Sequence, residues 1–544
     1  MFNKRSLTTE DVQAVAPAKR FRSEMVDIFL NNELSSERSA RVLRSAQQAG
    51  ALHVEDLQVR PETRNTHRDL LRKCFRNTKW PSLYHAKVRG WNQAKNTSEE
   101  YSLAILLPHE SLHSLLKVNT PEALLQQQAE ILPDRPDLEN HLHFLEGELG
   151  LDFESTLLMG MWCDGVPFNS DRSMTLETIS LNIFGQQNLR LPVAAFPKEF
   201  VSKSQTFEDV FEIIQWSFKQ LATGSMPSCR HDGTPFNRTD SYRQRLAGKK
   251  LPLRAALAEF RADWSCYKDV LSFPSWSSKG YPVISSMDFF MRQRQQNQLV
   301  SRLFSCPGFN TACRKMDFLH ACDLGVTSDW LGSLLFYIQS EKIRGLSKLI
   351  RCAKLYQDIK AYYDRNGVQD RLPKLLPTML REEDRGKIKS PKLRAKAGEA
   401  RALVGAAMEM ARKYLSPAKP AEQAMLHGTE ALQSIYACLS TAAWDKEVFR
   451  VSSQKFLLLW GSLETYFEVD KLFRVKPKAH QLFELARGEV NPSKTWTYRD
   501  ESYGHTLALL GKRRGGKFSM YAVSCQVLRR FLAANKVPRL EIGT

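Results

Sequence analysis

The stretch "STLLMGMWCDGVPFNSDRS" runs from Ser155 to Ser173. Apolar residues climb from Leu157 to Trp162, a single acid follows at Asp164, and the chain then passes through Gly165, Pro167, Asn169 and Ser170. A short apolar run that ends in turn residues predicts a buried strand. A carboxylate at such an end is either a turn residue or the first part of a site, and the surrounding sequence has to decide.

Downstream, "SMTLETISLNIF" and "LRLPVAAFPKEFV" read as two further strands. "TFEDVFEIIQWSFKQLATG" reads as a helix, with Thr206 as cap and Phe207, Val210, Phe211, Ile214 and Phe218 at helical spacing. "LPLRAALAEFRADW" reads as a fourth strand that ends at Asp263. Three strands, a helix and a fourth strand predict a mixed α/β sheet. From Phe289 to about Gly488 the pattern is nearly all helical, and a last helical region begins at about Arg499.

Upstream, residues 1–24 read as a polar, basic tail containing "PAKRFR", which resembles a short nuclear signal. From Met25 to about Ala94 the pattern is helical, with Ser35 or Ser36 capping a helix that carries Arg38, Arg41 and Arg44 and stops at Gly50. "RNTHRDLLRKCFRN" supplies a second basic helix, and "LPDRPDLENH" reads as a polar linker. Two short helices around a capped turn, with arginines along the second, suit a helix-turn-helix touching a nucleic-acid backbone, and suit at least as well a small helical domain whose arginines are simply solvated. The expected segments are thus the tail 1–24, a helical N-terminal domain 25–150, a first core part 151–288, a helical insertion 289–490 and closing helices 491–544.

Lysine plus arginine number 78 against 59 acids, a formal charge of +19 over 544 residues. Cations that neutralise phosphates release condensed counterions, so this balance points to a polyanionic partner. No apolar run approaches the roughly 18 residues needed to span a bilayer, and the N-terminus lacks a secretory core. A soluble, intracellular protein without a membrane role is expected. The ten cysteines form no CxxC pair, which predicts reduced thiols and neither a disulfide framework nor a zinc ribbon.

Two-metal chemistry on phosphodiesters needs acids on elements adjacent in a sheet, so that two divalent ions can sit a few ångströms apart. Asp164 and Asp263 end the first and fourth predicted strands, with two strands and a helix between them. That order is the logic of a ribonuclease H-like fold, in which the first and fourth strands are neighbours. "TWTYRDESYGHTLALLGKRR" offers a third acid at a helix start, Glu501 or its neighbour Asp500.

These residues, together with "PGFNTACRKMDFLHACDLGVTSDWLGSLLF" (Pro307–Phe336), resemble the transposases of CACTA-type cut-and-paste DNA elements. The matching positions are Asp164-Gly165-Val166-Pro167 with Arg172-Ser173, then Asp317, His320, Gly325, Leu331 and Gly332. The resemblance implies a ribonuclease H-like mixed sheet interrupted by a large all-helical insertion, with a small helical N-terminal domain. It further implies Asp164, Asp263 and Glu501 as metal-binding acids, with Asp500 as fallback, and two Mg²⁺ (or Mn²⁺) ions. The implied reaction is metal-dependent DNA strand cleavage and transfer in the nucleus, with element ends and target DNA as partners and a homo-oligomer allowed. The alternative is a nucleic-acid-binding descendant without catalysis. A cysteine-pair segment common in related proteins is missing from "FPSWSSKGYPVISSMDFF", which fits a decayed or domesticated copy.

Other polar residues read more plainly. Asp317 and His320, three apart, suit a helix-capping acid and a buried histidine hydrogen-bonded to backbone better than a metal pair. His480 reads as a surface helix histidine, and Trp264 as packing beside Asp263. "GKRRGGK" (Gly511–Lys517) lacks P-loop spacing, and its Lys512, Arg513 and Arg514 read equally as a basic turn against DNA or as a solvated loop.

Overall fold

The computed structural model describes residues 17–540, apart from 31–32, 62, 64, 75–79, 169–173, 186–188, 203–204, 264–265, 268–270, 272–300, 382, 385–386 and 513–517. Trp264, Arg172, Ser173, Arg513, Arg514 and residues 1–16 of the expected tail therefore lie outside the described residues. The described chain divides into two units. One runs to Leu271 and includes 301–315 and everything from Tyr498 onward, and the other is Met316–Thr497.

The first unit opens with three helices, α1 (Pro17–Leu30), α2 (Ser36–Gln48) and α3 (Thr66–Cys74). The helix begins at Pro17, so the tail expected to reach residue 24 is already helical over its last eight residues. Ser35 is the cap of α2, its hydroxyl accepting from the Arg38 N–H at 3.2 Å. Met25, Phe29, Leu43, Val54, Leu57 and Leu70 bury a small core between these helices.

The expected all-helical N-terminal domain then gives way to an antiparallel ribbon, β1 (Tyr84–Asn92) with β2 (Thr97–Ile105). Tyr84, Ala86 and Val88 are buried while His85, Lys87 and Arg89 are exposed, a period of two that belongs to a strand. Helices α4 (Pro108–Leu115), α5 (Pro121–Ala129) and α6 (Pro136–Leu149) follow. The "polar linker" is thus the start of α6, with Pro136 at its first position and Asp137 and Glu139 in its first turn.

A five-stranded sheet forms the centre of this unit: β3 (Thr156–Pro167), β4 (Thr175–Ile183), β5 (Arg190–Pro197), β6 (Arg254–Arg261) and the two-residue β7 (Arg314–Lys315). Its order is β5-β4-β3-β6-β7, with β3–β4 and β4–β5 antiparallel and β3–β6 and β6–β7 parallel. A parallel neighbour requires a crossover, and α7 (Gln205–Thr223) lies in the chain between β5 and β6. Its buried Phe207, Val210, Phe211, Ile214 and Phe218 face the sheet, with Phe207 against Phe196 and Phe211 against Phe260. Gly160 leaves room on β3 for the Asn182 side chain of β4, whose Oδ1 would stand 2.3 Å from a Cβ there. The fifth strand falls where the helical insertion was expected, and 301–315 belong with the sheet.

The second unit is helical. Its main helices are α8 (Ser328–Tyr337), α9 (Lys348–Arg365), α10 (Ala397–Tyr414), α11 (Pro420–Ala437), α12 (Lys446–Tyr466) and α13 (Pro477–Arg487), preceded by a π-helical segment Leu319–Thr327. They share one apolar core around Trp330, whose ring lies 4.8 Å from Phe456 and 5.0 Å from Phe473. The chain then rejoins the first unit through α14 (Tyr498–Gly511) and α15 (Met520–Ala534).

Candidate metal centre

Three elements of the first unit place the predicted acids. The last paired residues of the parallel strands are Trp162 on β3 and Arg261 on β6, so Asp164 and Asp263, each two residues further on, leave neighbouring strand ends on the same side of the sheet. Asp164 still lies within β3, opposite Thr178 of β4, and its carbonyl accepts from the Thr178 hydroxyl at 3.0 Å. Its Oδ1 accepts from the Gly165 N–H at 2.7 Å. Asp263 stands just beyond β6 rather than at its last residue, and its Oδ1 accepts from the Cys266 N–H at 2.7 Å.

Side chains two apart on a strand share a face, so Trp162, Asp164 and Val166 line one side of β3. Helix α14 lies against that side. Gly504 makes the approach feasible, since a Cβ there would be 2.6 Å from the Trp162 ring and 2.9 Å from Val166. Glu501, almost one turn earlier on the same helix face, consequently reaches Asp164, and a carboxylate oxygen of each lies within 4.8 Å of the other. Both side chains are half-buried.

Asp500 has a different position. It is fully buried and accepts hydrogen bonds from Arg190 Nε on β5 and from Arg261 Nη1 on β6 at 3.3 Å. Its two oxygens are committed to two guanidinium groups, so it is Glu501, and not the fallback Asp500, that stands beside Asp164. Arg261 also bonds Glu259, which bonds Arg135, and Arg135 in turn holds Asp137 at 2.8 Å, with Lys315 on the same carboxylate at 2.7 Å. Burial would raise the Glu259 carboxyl, but Arg261, Arg135 and Lys315 outweigh it and hold it below its ordinary value.

Cys163 and Cys266 were not singled out by the sequence. Their thiols share a hydrogen bond, which pulls Cys163 down, while burial and the charges of Glu177, Asp164 and Asp263 outweigh it and leave that thiol raised. Cys266 is held well above its usual range by the bond to Cys163, by burial, and by the charge of the same two aspartates. Asp164 and Asp263 thus act on one pair of thiols, as neighbouring strand ends should.

Asp164 and Glu501 each offer one carboxylate oxygen, a hard donor. Asp263 does not join Asp164 and Glu501 in a cluster with all three within 4.8 Å of one another among the described residues.

The remaining expected residues fall elsewhere. In the second unit, Asp317 caps the turn as expected, accepting from the backbone of Leu319 and His320, from His320 Nδ1 at 2.6 Å, and from Thr497 N and Oγ1 at 2.9 Å each. These bonds overcome the burial that would raise the Asp317 carboxyl, and hold it low. His480 lies on α13, 3.3 Å from Glu484. In the first unit, Arg38, Arg41 and Arg44 are exposed along α2, and Arg41 pairs with Glu37. Arg38 and Arg41 line a shallow groove of about 870 Å³ with Phe21 and Val42. Lys512 is exposed at the end of α14. No family model and no curated protein matches the chain.

Proposed function

We propose that the first unit is a ribonuclease H-like nuclease core, that Met316–Thr497 is a helical insertion within it, and that the chain is a DNA transposase or descends from one. The observation that carries the reading is the meeting of Asp164 and Glu501, which come from a central strand and from a helix far along the chain, within 4.8 Å. The strand order β5-β4-β3-β6-β7 supports it, because it sets β3 beside β6 and leaves Asp164 and Asp263 at adjacent ends. A turn-capping role explains Asp263 alone; it does not explain why Glu501 is brought to Asp164.

In this reading Asp164, Asp263 and Glu501 hold two divalent ions, with Asp164 shared. The ions, when bound, would activate the attacking oxygen and stabilise the leaving oxygen of a phosphodiester. The chain's own residues keep the carboxylates facing one another and the backbone of the DNA in register. Basic residues on α2 and Lys512 would meet phosphates, consistent with the charge of +19. A nucleus-located DNA partner follows from the same reading, which also allows a homo-oligomer.

The test is cleavage of double-stranded DNA carrying an element's ends, in Mg²⁺ or Mn²⁺, with Asp164→Ala alongside. Metal-dependent strand breaks that disappear in Asp164→Ala are expected. Breaks that persist in that variant remove Asp164 from the chemistry. DNA binding without cleavage in the wild-type chain favours the non-catalytic descendant.

A further inference from the structure

Asp500, the acid next to Glu501, is the most deeply buried carboxylate on α14. We infer that Asp500, held by Arg190 and Arg261, is a positioning residue that sets the rotation of α14 and thereby presents Glu501 to Asp164. The inference rests on the reading of Asp164 and Glu501 as metal ligands and extends it to residues that touch no metal.

Consecutive residues on a helix point about 100° apart. If Asp500 is fixed, the direction of Glu501 is fixed with it. Asp500 is 0% exposed and is gripped from two strands at once, by Arg190 of β5 and Arg261 of β6. Two anchors from different strands oppose rotation of the helix in a way that one would not. Gly504 sets the remaining coordinate, since its contact with Trp162 fixes how closely the helix axis approaches β3.

The lever arm is long enough to matter. With side chains an α-helix has a radius of roughly 5–6 Å, so a 20° turn moves a side-chain tip by about 2 Å. That exceeds the tolerance of a metal ligand, whose bond lengths are matched to within about 0.2 Å.

Arg261 adds a second consequence. It lies on β6 two residues before Asp263, so the group that holds the helix of Glu501 also belongs to the strand that delivers Asp263. Arg261 is itself bonded to Glu259, and Glu259 to Arg135, which gives the anchor a buried counter-charge. Truncating any member leaves a buried charge without its partner, whereas changing Asp500 to its amide keeps the shape, removes the charge and turns one of the two accepting oxygens into a donor that faces a guanidinium.

The experiment is a double-mutant cycle on the full-length chain, with Mn²⁺ binding read from the electron paramagnetic resonance signal of free Mn²⁺. Glu501→Gln should weaken Mn²⁺ binding directly. Asp500→Asn should weaken it about tenfold or more, the range found for outer-shell partners of metal ligands. In the double variant Asp500→Asn should add less than about twofold, because the ligand it positions is already gone. A residue that only stabilises the fold would weaken binding equally in both backgrounds, and that additive result overturns the inference. Asp500→Asn that binds Mn²⁺ like the wild type while Asp164→Asn abolishes binding also overturns it, and leaves the metal reading standing. A wild-type chain that takes up no Mn²⁺ overturns both. Should Asp500→Asn melt before binding can be measured, Arg190→Lys, which keeps the charge and loses the planar fork, is read in the same cycle with the same two outcomes.

Discussion

Gly504 of α14 lies so close to the indole of Trp162 on β3 that a Cβ would stand 2.6 Å from its Cη2. Helix and strand touch backbone to ring, and this contact brings Glu501 within reach of Asp164 two residues along the strand. Gly504→Ala has to push the helix away from the sheet. Overpacking of this kind costs about 1–3 kcal/mol, so urea unfolding should show that loss together with weakened Mn²⁺ binding. A variant as stable as the wild type that still binds Mn²⁺ normally would mean that the contact does not position Glu501.

The charge chain beneath the site should be the most sensitive part of the first unit. Glu259 is fully buried between Arg261 and Arg135. Removing one partner of a buried pair typically costs about 3–5 kcal/mol, and Glu259→Gln should show a loss of that size in chemical denaturation. A loss below about 1 kcal/mol would show that the two arginines find other partners. Because the native pKa of Glu259 lies below its ordinary 4.5, its contribution is complete above pH 4.5 and disappears as the pH falls through the lower native value.

A second pH window lies higher. His109 is buried with its Nδ1 2.7 Å from Ser217 Oγ, and burial, aided by Arg243 and His113, lowers it from 6.5 to about 3. The folded chain keeps it neutral while the unfolded chain protonates it below pH 6.5. Stability from this group is therefore complete above pH 6.5 and declines as the pH falls towards 3, by at most about 1.4 kcal/mol per pH unit. Urea midpoints measured from pH 7 to 4 should fall, and His109→Gln should flatten the slope. An equal slope in that variant would assign the acid sensitivity to other groups.

Arg38, Arg41 and Arg44 project from one helix and are exposed. If they meet a DNA backbone, replacing each by Ala should weaken binding by a similar factor on any DNA sequence. Each should also reduce the slope of log affinity against log salt by about 0.9 per lost phosphate contact. Fluorescence anisotropy across a salt series reads this, and unchanged slopes would place the DNA elsewhere.

Much of the sheet was legible in the sequence, and the reasons are local. β3, β4, β5 and β6 are apolar runs closed by turn residues, and α7 carries its apolar positions at helical spacing, so pattern alone locates them. β1 was lost inside a helical pattern because its alternation covers only four buried residues, Tyr84, Ala86, Val88 and Gly90, and the last carries no side chain. β7 is two residues long and exists only through its pairing with Phe260 and Arg261, which no local pattern encodes. Helix α6 could have been found, since Pro136 followed by Asp137 and Glu139 is a start signal.

The placement of Asp164 and Asp263 at neighbouring strand ends was legible in the sequence, but which of Asp500 and Glu501 comes to Asp164 was not. The two are consecutive acids in one helical turn, and the residues that separate their roles, Arg190 and Arg261, lie more than two hundred positions away in the chain. The thiol pair Cys163 and Cys266 was hidden for the same reason, since only the adjacency of β3 and β6 brings it together.

The central claim is that Asp164 and Glu501 share a divalent cation. Crystals of the wild-type chain soaked in Mn²⁺ and measured at the Mn absorption edge test it most directly. An anomalous peak within ligand distance of one oxygen of each carboxylate is the result expected, together with its loss in Asp164→Asn crystals. Density that leaves the two carboxylates bare while Mn²⁺ occupies other sites would contradict the account.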